Sequence, residues 1–163
     1  MEPSARPSVS RTRDGLGLLA FIALCFGASV LGGMAVRSAP AEWYPALVKP
    51  AWTPPGWLFG PVWTLLYPMI ALAGFLAWRE GHTRRGPLVY LVQLALNLAW
   101  PWLFFVARRP GLAFAAIVLL CLAIAATIAA FWRADRRASL LLLPYFAWVI
   151  FAAVLNHAIW KLN

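Results

Sequence analysis

The chain has 163 residues, 63% of them hydrophobic and only 12% charged, with a formal net charge of +9. A soluble domain carries about 25% charged residues, so too few are present here to cover a water-facing surface, and lipid is the solvent that fits. The basic residues sit in short breaks between apolar runs rather than in a stripe, which favours contact with anionic headgroups over nucleic-acid binding.

Residues 1–14 are polar and carry Arg6, Arg11 and Arg13, and they read as a disordered basic tail. Residues 15–163 then form one membrane domain. Its five apolar stretches are Leu16–Val36, Leu58–Trp78, Pro87–Ala107, Gly111–Trp132 and Ser139–Trp160. Each has about 20 residues, enough to span a hydrocarbon core of about 30 Å. Backbone groups in lipid need internal partners, so each stretch is expected to be helical. The alternation of a transmembrane β-strand is missing. The fold class expected is an all-α integral membrane protein, a bundle of five transmembrane helices. The first stretch is longer than the apolar run of a signal peptide, about 7–15 residues, and is read as a retained helix. Gly27, Gly32 and Gly33 within it suggest close helix packing.

The longest break, residues 38–57, reads SAPAEWYPALVKPAWTPPGW. Pro40, Pro45, Pro50, Pro54 and Pro55 forbid a long helix there, and Trp43, Tyr44, Trp52 and Trp57 make it aromatic. Such a segment should fold back over the helix ends as an anchor or as a lid on a cavity. The tail and the 79–86 and 133–138 breaks hold nine Lys or Arg, against five on the other side. That bias places the N-terminus inside, in the cytoplasm if the membrane is a bacterial inner one.

Glu2, Asp14, Glu42, Glu80 and Asp135 all lie outside the spans. Proton-coupled pumps place ionisable groups at membrane depth, so ion coupling and paired-carboxylate catalysis are disfavoured. Cys25 and Cys121 sit inside apolar runs, and no CxxC or Cys/His cluster supports a metal site or a disulfide. Neutral polar groups remain. At the helical period, Gln93, Asn97, Trp100 and Phe104 share a face of the third span. Tyr145, Ala152, Asn156 and Asn163 share one on the fifth, flanked by Trp148. Trp63, Tyr67 and Gly74 share one on the second. Facing stripes of this kind would line an apolar pocket with a few hydrogen-bonding groups. Membrane Asn and Gln also serve simply to hold helices together, and lone aromatics commonly pack in cores. Pro61, Pro68, Pro101 and Pro144 should loosen their helices. Ala95 and Ala99 form a small-xxx-small pair compatible with a helix dimer contact.

Three segments together resemble the TspO/translocator protein family, also called the peripheral benzodiazepine receptor or tryptophan-rich sensory protein family. They are WYPALVKPAWTPPGWLFGPVWTLLYPM (43–69), QLALNLAWPWLFF (93–105) and PYFAWVIFAAVLN (144–156). The resemblance implies a five-helix bundle, commonly a homodimer, here through the third helix, with a cavity under the first loop. It implies porphyrin ligands such as protoporphyrin IX and haem, with no further cofactor, and cholesterol in animal members. Carried over by position, the ligand-binding residues are Trp43, Trp52, Trp63, Asn97, Trp100, Tyr145, Trp148, Ala152 and Asn156, with Gln93 and Leu155 as lesser candidates. The end of the fifth span departs from the animal sterol motif, because His157 stands where a tyrosine is expected. Porphyrin carboxylates would favour headgroup level near Lys49 or Arg37. The resemblance implies a sensor or transporter in tetrapyrrole regulation. The alternative is an enzyme that degrades porphyrin through a reactive Trp63 or Trp148.

Overall fold

The structure is a computed structural model that describes residues 8–81 and 86–163. Among the described residues there is no strand, and five helices are long and apolar enough to cross a membrane. Helix α1 covers Ser8–Arg37. A short α2, Trp43–Ala46, lies in the loop that follows. A 3-10 turn at Gly56–Leu58 leads into α3, Phe59–Glu80. Helix α4, Gly86–Pro101, continues as a π-helical turn over Trp102–Val106. Helices α5 and α6 cover Pro110–Trp132 and Arg136–Leu162.

The ends follow from local chemistry. Gly81 takes the left-handed conformation, φ 67°, that closes α3 without a Cβ penalty. Pro110 starts α5 at a position whose N–H would have had no helical partner. Asp135 caps α6 by accepting from the Arg137 N–H at 2.7 Å. A disordered tail was expected over residues 1–14, but its described part is helical. Residues 8–14 are the first two turns of α1, and residues 1–7 lie outside the described residues. One contact holding that extension is the Arg13 guanidinium, 5.2 Å from the centroid of the Trp78 ring.

Helix α1 packs on α3 and α4, α3 on α6, α6 on α5, and α5 on α4. The five spans therefore close a ring in the order α1, α3, α6, α5, α4. Helix α1 is its most peripheral member, with only Cys25 and Ala35 buried among its described apolar residues. The glycines of α1 do not all mark tight packing. Gly17 lies directly under the Trp78 ring, but added Cβ atoms on Gly27 and Gly33 would meet nothing within 4 Å. Tyr145, Ile117, Leu120, Ile124, Leu142 and Val149 form the centre of the ring. A second cluster of Phe104, Ala113, Leu155 and Ile159 sits at the loop end, with Trp43, Tyr44 and Leu47 of the loop packed on it.

Candidate functional site

Pro101 has no N–H, so the Asn97 carbonyl is released from the α4 ladder. Beyond it the backbone slips into a wider turn, with the Ala107 N–H donating to the Trp102 carbonyl at 2.8 Å. Arg108, at φ 53°, closes that turn. A π-turn adds a residue to one face, and such turns recur at functional sites. Here Phe105 joins Trp100 and Phe104. Trp100 stacks on Phe104 with centroids 5.7 Å apart and an interplanar angle of 29°. Phe105 meets Phe104 edge-on at 4.9 Å.

These rings form one wall of a cavity of about 490 Å³ at the loop end of the ring. Phe59, Trp63 and Tyr67 of α3 form another wall, and Ala152, Leu155, Asn156 and Ile159 of α6 a third. Ser29, Gly32, Gly33 and Arg37 of α1 complete it, with Tyr44 above. The inner lining is buried, whereas Gly33, Arg37, Gly60 and Thr64 are exposed, so the cavity opens sideways past α1 and α3.

Two hydrogen-bonded groups supply polarity. In the first, the Tyr67 hydroxyl donates to Asn97 Oδ1 at 2.8 Å, and Asn97 Nδ2 donates to the Tyr145 hydroxyl at 2.9 Å. Tyr145 in turn donates to Gln93 Oε1 at 2.9 Å. This chain ties α3, α4 and α6 together and forms a polar floor beneath the cavity. In the second, Trp100 Nε1 donates to Asn156 Oδ1 at 2.9 Å. Asn156 Nδ2 then donates to the Pro110 carbonyl, also at 2.9 Å. That pair joins the end of α4, just before the π-turn, to α6 and to the start of α5.

The loop is pinned from the far end of the chain. The Val48 N–H donates to Asn163 Oδ1, and Asn163 Nδ2 donates to the Val48 carbonyl, both at 3.0 Å. Lys49 Nζ donates to the carbonyls of Tyr44 at 2.6 Å, Leu47 at 2.8 Å and Pro45 at 3.1 Å. It also lies 4.9 Å from the Tyr44 ring centroid. Burial raises the Tyr44 phenol above its ordinary pKa. Lys49 therefore organises the loop and does not face the cavity, and Arg37 alone of the two expected cations lines it.

Of the residues expected from the sequence, Trp63, Asn97, Trp100, Ala152, Asn156 and Leu155 line the cavity. Four others do not. Trp43 packs behind the wall, edge-on to Phe104 and Phe105 at 5.4 and 6.1 Å. Trp52 lies against Phe151 at 6.0 Å on the outer side and is half exposed. Tyr145 is fully buried within the floor, held there by Asn97 and Gln93, and does not reach the cavity wall. Trp148 packs between Phe59 and Phe151, at 5.6 and 5.4 Å. Its Nε1 is buried with no hydrogen-bond partner among the described residues, as is Gln93 Nε2. Phe59, Phe105 and the Ser29, Gly32 and Gly33 part of the α1 wall were missed as site residues, whereas Phe104 lies on the stripe expected of the third span. A backbone slip carries Phe105 into place, and glycine leaves no side-chain signal. Among the described residues no group of His, Cys, Asp and Glu is placed to hold a metal.

The family model of the TspO/MBR family matches residues 21–161. The chain belongs to the TspO/MBR family. It is 44% identical over 150 residues to the tryptophan-rich protein TspO of Chlorobaculum tepidum, covering 87% of this chain and 95% of that protein. To the human translocator protein it is 41% identical over 138 residues, 82% of each chain. To the tryptophan-rich sensory protein of Cereibacter sphaeroides it is 37% identical over 145 residues, 89% of this chain and 90% of that one. With five apolar spans, this TspO-family member is an integral, multi-pass membrane protein.

Proposed function

We propose that this TspO-family protein binds a porphyrin, protoporphyrin IX or haem, in the loop-end cavity and acts as a sensor rather than as a channel. The observation that carries the reading is the makeup of the wall. Trp63, Trp100, Phe104 and Phe105 present flat rings, Asn97 and Asn156 add amides, and Arg37 stands at the rim. A porphyrin is a flat aromatic plate with two carboxylates. Ring faces take the plate, amides meet its polar edge, and a rim cation meets a carboxylate at headgroup level. The volume falls within the range of small-molecule sites, about 300–1,000 Å³. The sideways opening suits a ligand that partitions into the bilayer first.

The polar floor favours sensing over passage. Tyr67, Asn97, Tyr145 and Gln93 tie three helices together below the cavity, and the packed centre of the ring lies beyond. A carrier would have to break that chain in every cycle. Quenching of tryptophan fluorescence by protoporphyrin IX in detergent tests binding. Saturable quenching, weakened by Trp63→Phe, is the expected result, and non-saturable quenching overturns the proposal. Porphyrin flux into proteoliposomes above the protein-free rate would replace the sensor with a transporter. Loss of the porphyrin spectrum under light, abolished by Trp63→Phe, would favour degradation. The outward face of α4, with Ala95 exposed, supports a homodimer contact. Disulfide trapping of Ala95→Cys in membranes tests it.

A further inference from the structure

The opposite end of the ring holds a second space, of about 440 Å³, between α1, α3 and α4. Its walls are apolar. Ala20, Phe21 and Leu24 come from α1, Gly74 and Ala77 from α3, and Tyr90 from α4. Ala20, Leu24 and Leu91 are exposed at its side, so it is a groove facing the bilayer rather than a closed chamber. Gly74 lets the Phe21 and Tyr90 rings of the groove walls pack directly against α3. A Cβ there would lie 2.6 Å from the Tyr90 ring and 2.7 Å from the Phe21 ring. Arg13 stands at the mouth with its guanidinium over Trp78, and among the described residues it forms no salt bridge.

Charge and length both narrow the occupant. Arg11, Arg13, Arg79, Arg133, Arg136 and Arg137 crowd this end, against Asp14, Glu80 and Asp135. Glu80 pairs with Arg79 at 3.8 Å, and Asp135 is spent on capping α6. The end is therefore net positive at headgroup level. From Arg13 to Leu24 the α1 wall rises about 16 Å at helical pitch. That is about half of a hydrocarbon core of about 30 Å, the depth of one leaflet. A single chain hung from a headgroup at Arg13 would fill the groove along its length.

We propose that the groove between α1, α3 and α4 holds one acyl chain of an anionic phospholipid, its phosphate bound by Arg13 at the mouth. The lipid comes from the leaflet on the arginine-rich side and wedges between the peripheral helix α1 and the rest of the ring. It is a site separate from the loop-end cavity and shares no lining residue with it.

The test uses the full chain in neutral detergent. It is titrated separately with dioleoylphosphatidylglycerol and dioleoylphosphatidylcholine, and retained lipid is counted by native mass spectrometry. The wild type is expected to retain the anionic lipid in preference. Arg13→Gln should weaken phosphatidylglycerol about fivefold and leave phosphatidylcholine unmoved, the effect of removing one headgroup-level cation. Ala20→Phe should block the groove and remove the retained lipid. Leu24→Trp, one turn deeper, should do the same. Protoporphyrin quenching should be unchanged in all three variants, which shows that the ring is intact. Equal retention of the two lipids overturns the proposal. Retention of phosphatidylglycerol undiminished by both blocking variants also overturns it. So does a shift of Ala20→Phe from dimer to monomer without loss of lipid, which would make a second copy of the chain the occupant.

Discussion

The two ends of the ring are both rich in aromatic side chains, yet they differ in the polar groups set among them. At the loop end, Trp63, Trp100 and Phe104 stand beside Asn97 and Asn156, under a loop pinned by Asn163. At the arginine end, Phe21, Trp78 and Tyr90 line a groove that has neither a buried amide nor a lid among the described residues. Aromatic content alone therefore does not mark a specific site. In a bilayer, rings pack against lipid tails as readily as against a ligand, so selectivity has to come from the few groups that hydrogen-bond. Asn97 is the hinge of that difference, because it is both wall of the cavity and centre of the chain that supports it.

The sharpest way to break the comparison is Asn97→Leu. It strands the Tyr67 hydroxyl, whose acceptor is lost, and removes a donor to Tyr145. Each buried group left unsatisfied costs about 1–3 kcal/mol. Thermal unfolding in detergent should show that loss together with a collapse of porphyrin affinity, while lipid retention at the arginine end persists in the protein that remains folded. Unchanged stability and unchanged affinity would remove Asn97 from both roles.

Glycines separate the two ends next. Gly74→Ala forces a Cβ into the Tyr90 and Phe21 rings and should destabilise by about 1–3 kcal/mol. At Gly33, where a Cβ meets nothing within 4 Å, alanine should stabilise by about 0.5–1 kcal/mol through helix propensity. Gly33→Leu should keep the fold and obstruct porphyrin. Thermal melts of these variants, with fluorescence titration for the leucine, check the contrast. Equal melting of Gly74→Ala and Gly33→Ala would erase it.

A smaller effect is expected at the rim. Arg37→Gln should weaken protoporphyrin IX about fivefold, the worth of roughly 1 kcal/mol for one cation at headgroup level, and leave its dimethyl ester unaffected. Lys49→Gln should not discriminate between acid and ester, since Lys49 is committed to loop carbonyls. Titration of both ligands against both variants decides this. Smallest of all is Trp148→Phe. Trp148 Nε1 has no hydrogen-bond partner among the described residues and the ring is off the wall, so affinity should stay within about a factor of two, RT being about 0.6 kcal/mol. A tenfold loss on titration would bring Trp148 back into the site.

Much of this was legible in the chain itself. Apolar runs of spanning length, separated by basic or proline-rich breaks, determine five helices, since lipid offers the backbone no other partner. The helical period puts Asn97 and Trp100 on one face, and Ala152 and Asn156 on another. Periodicity says which residues share a face, not which neighbour that face meets or how deep in the bundle it lies. Tertiary packing alone turned Tyr145 into the floor and Trp43 behind the wall. It also decided that α1 would contribute a glycine-lined wall and that the last residue would fasten the loop. The π-turn after Pro101 depends on both. The missing N–H is written in the sequence, but where the freed backbone settles is set by the helices around it.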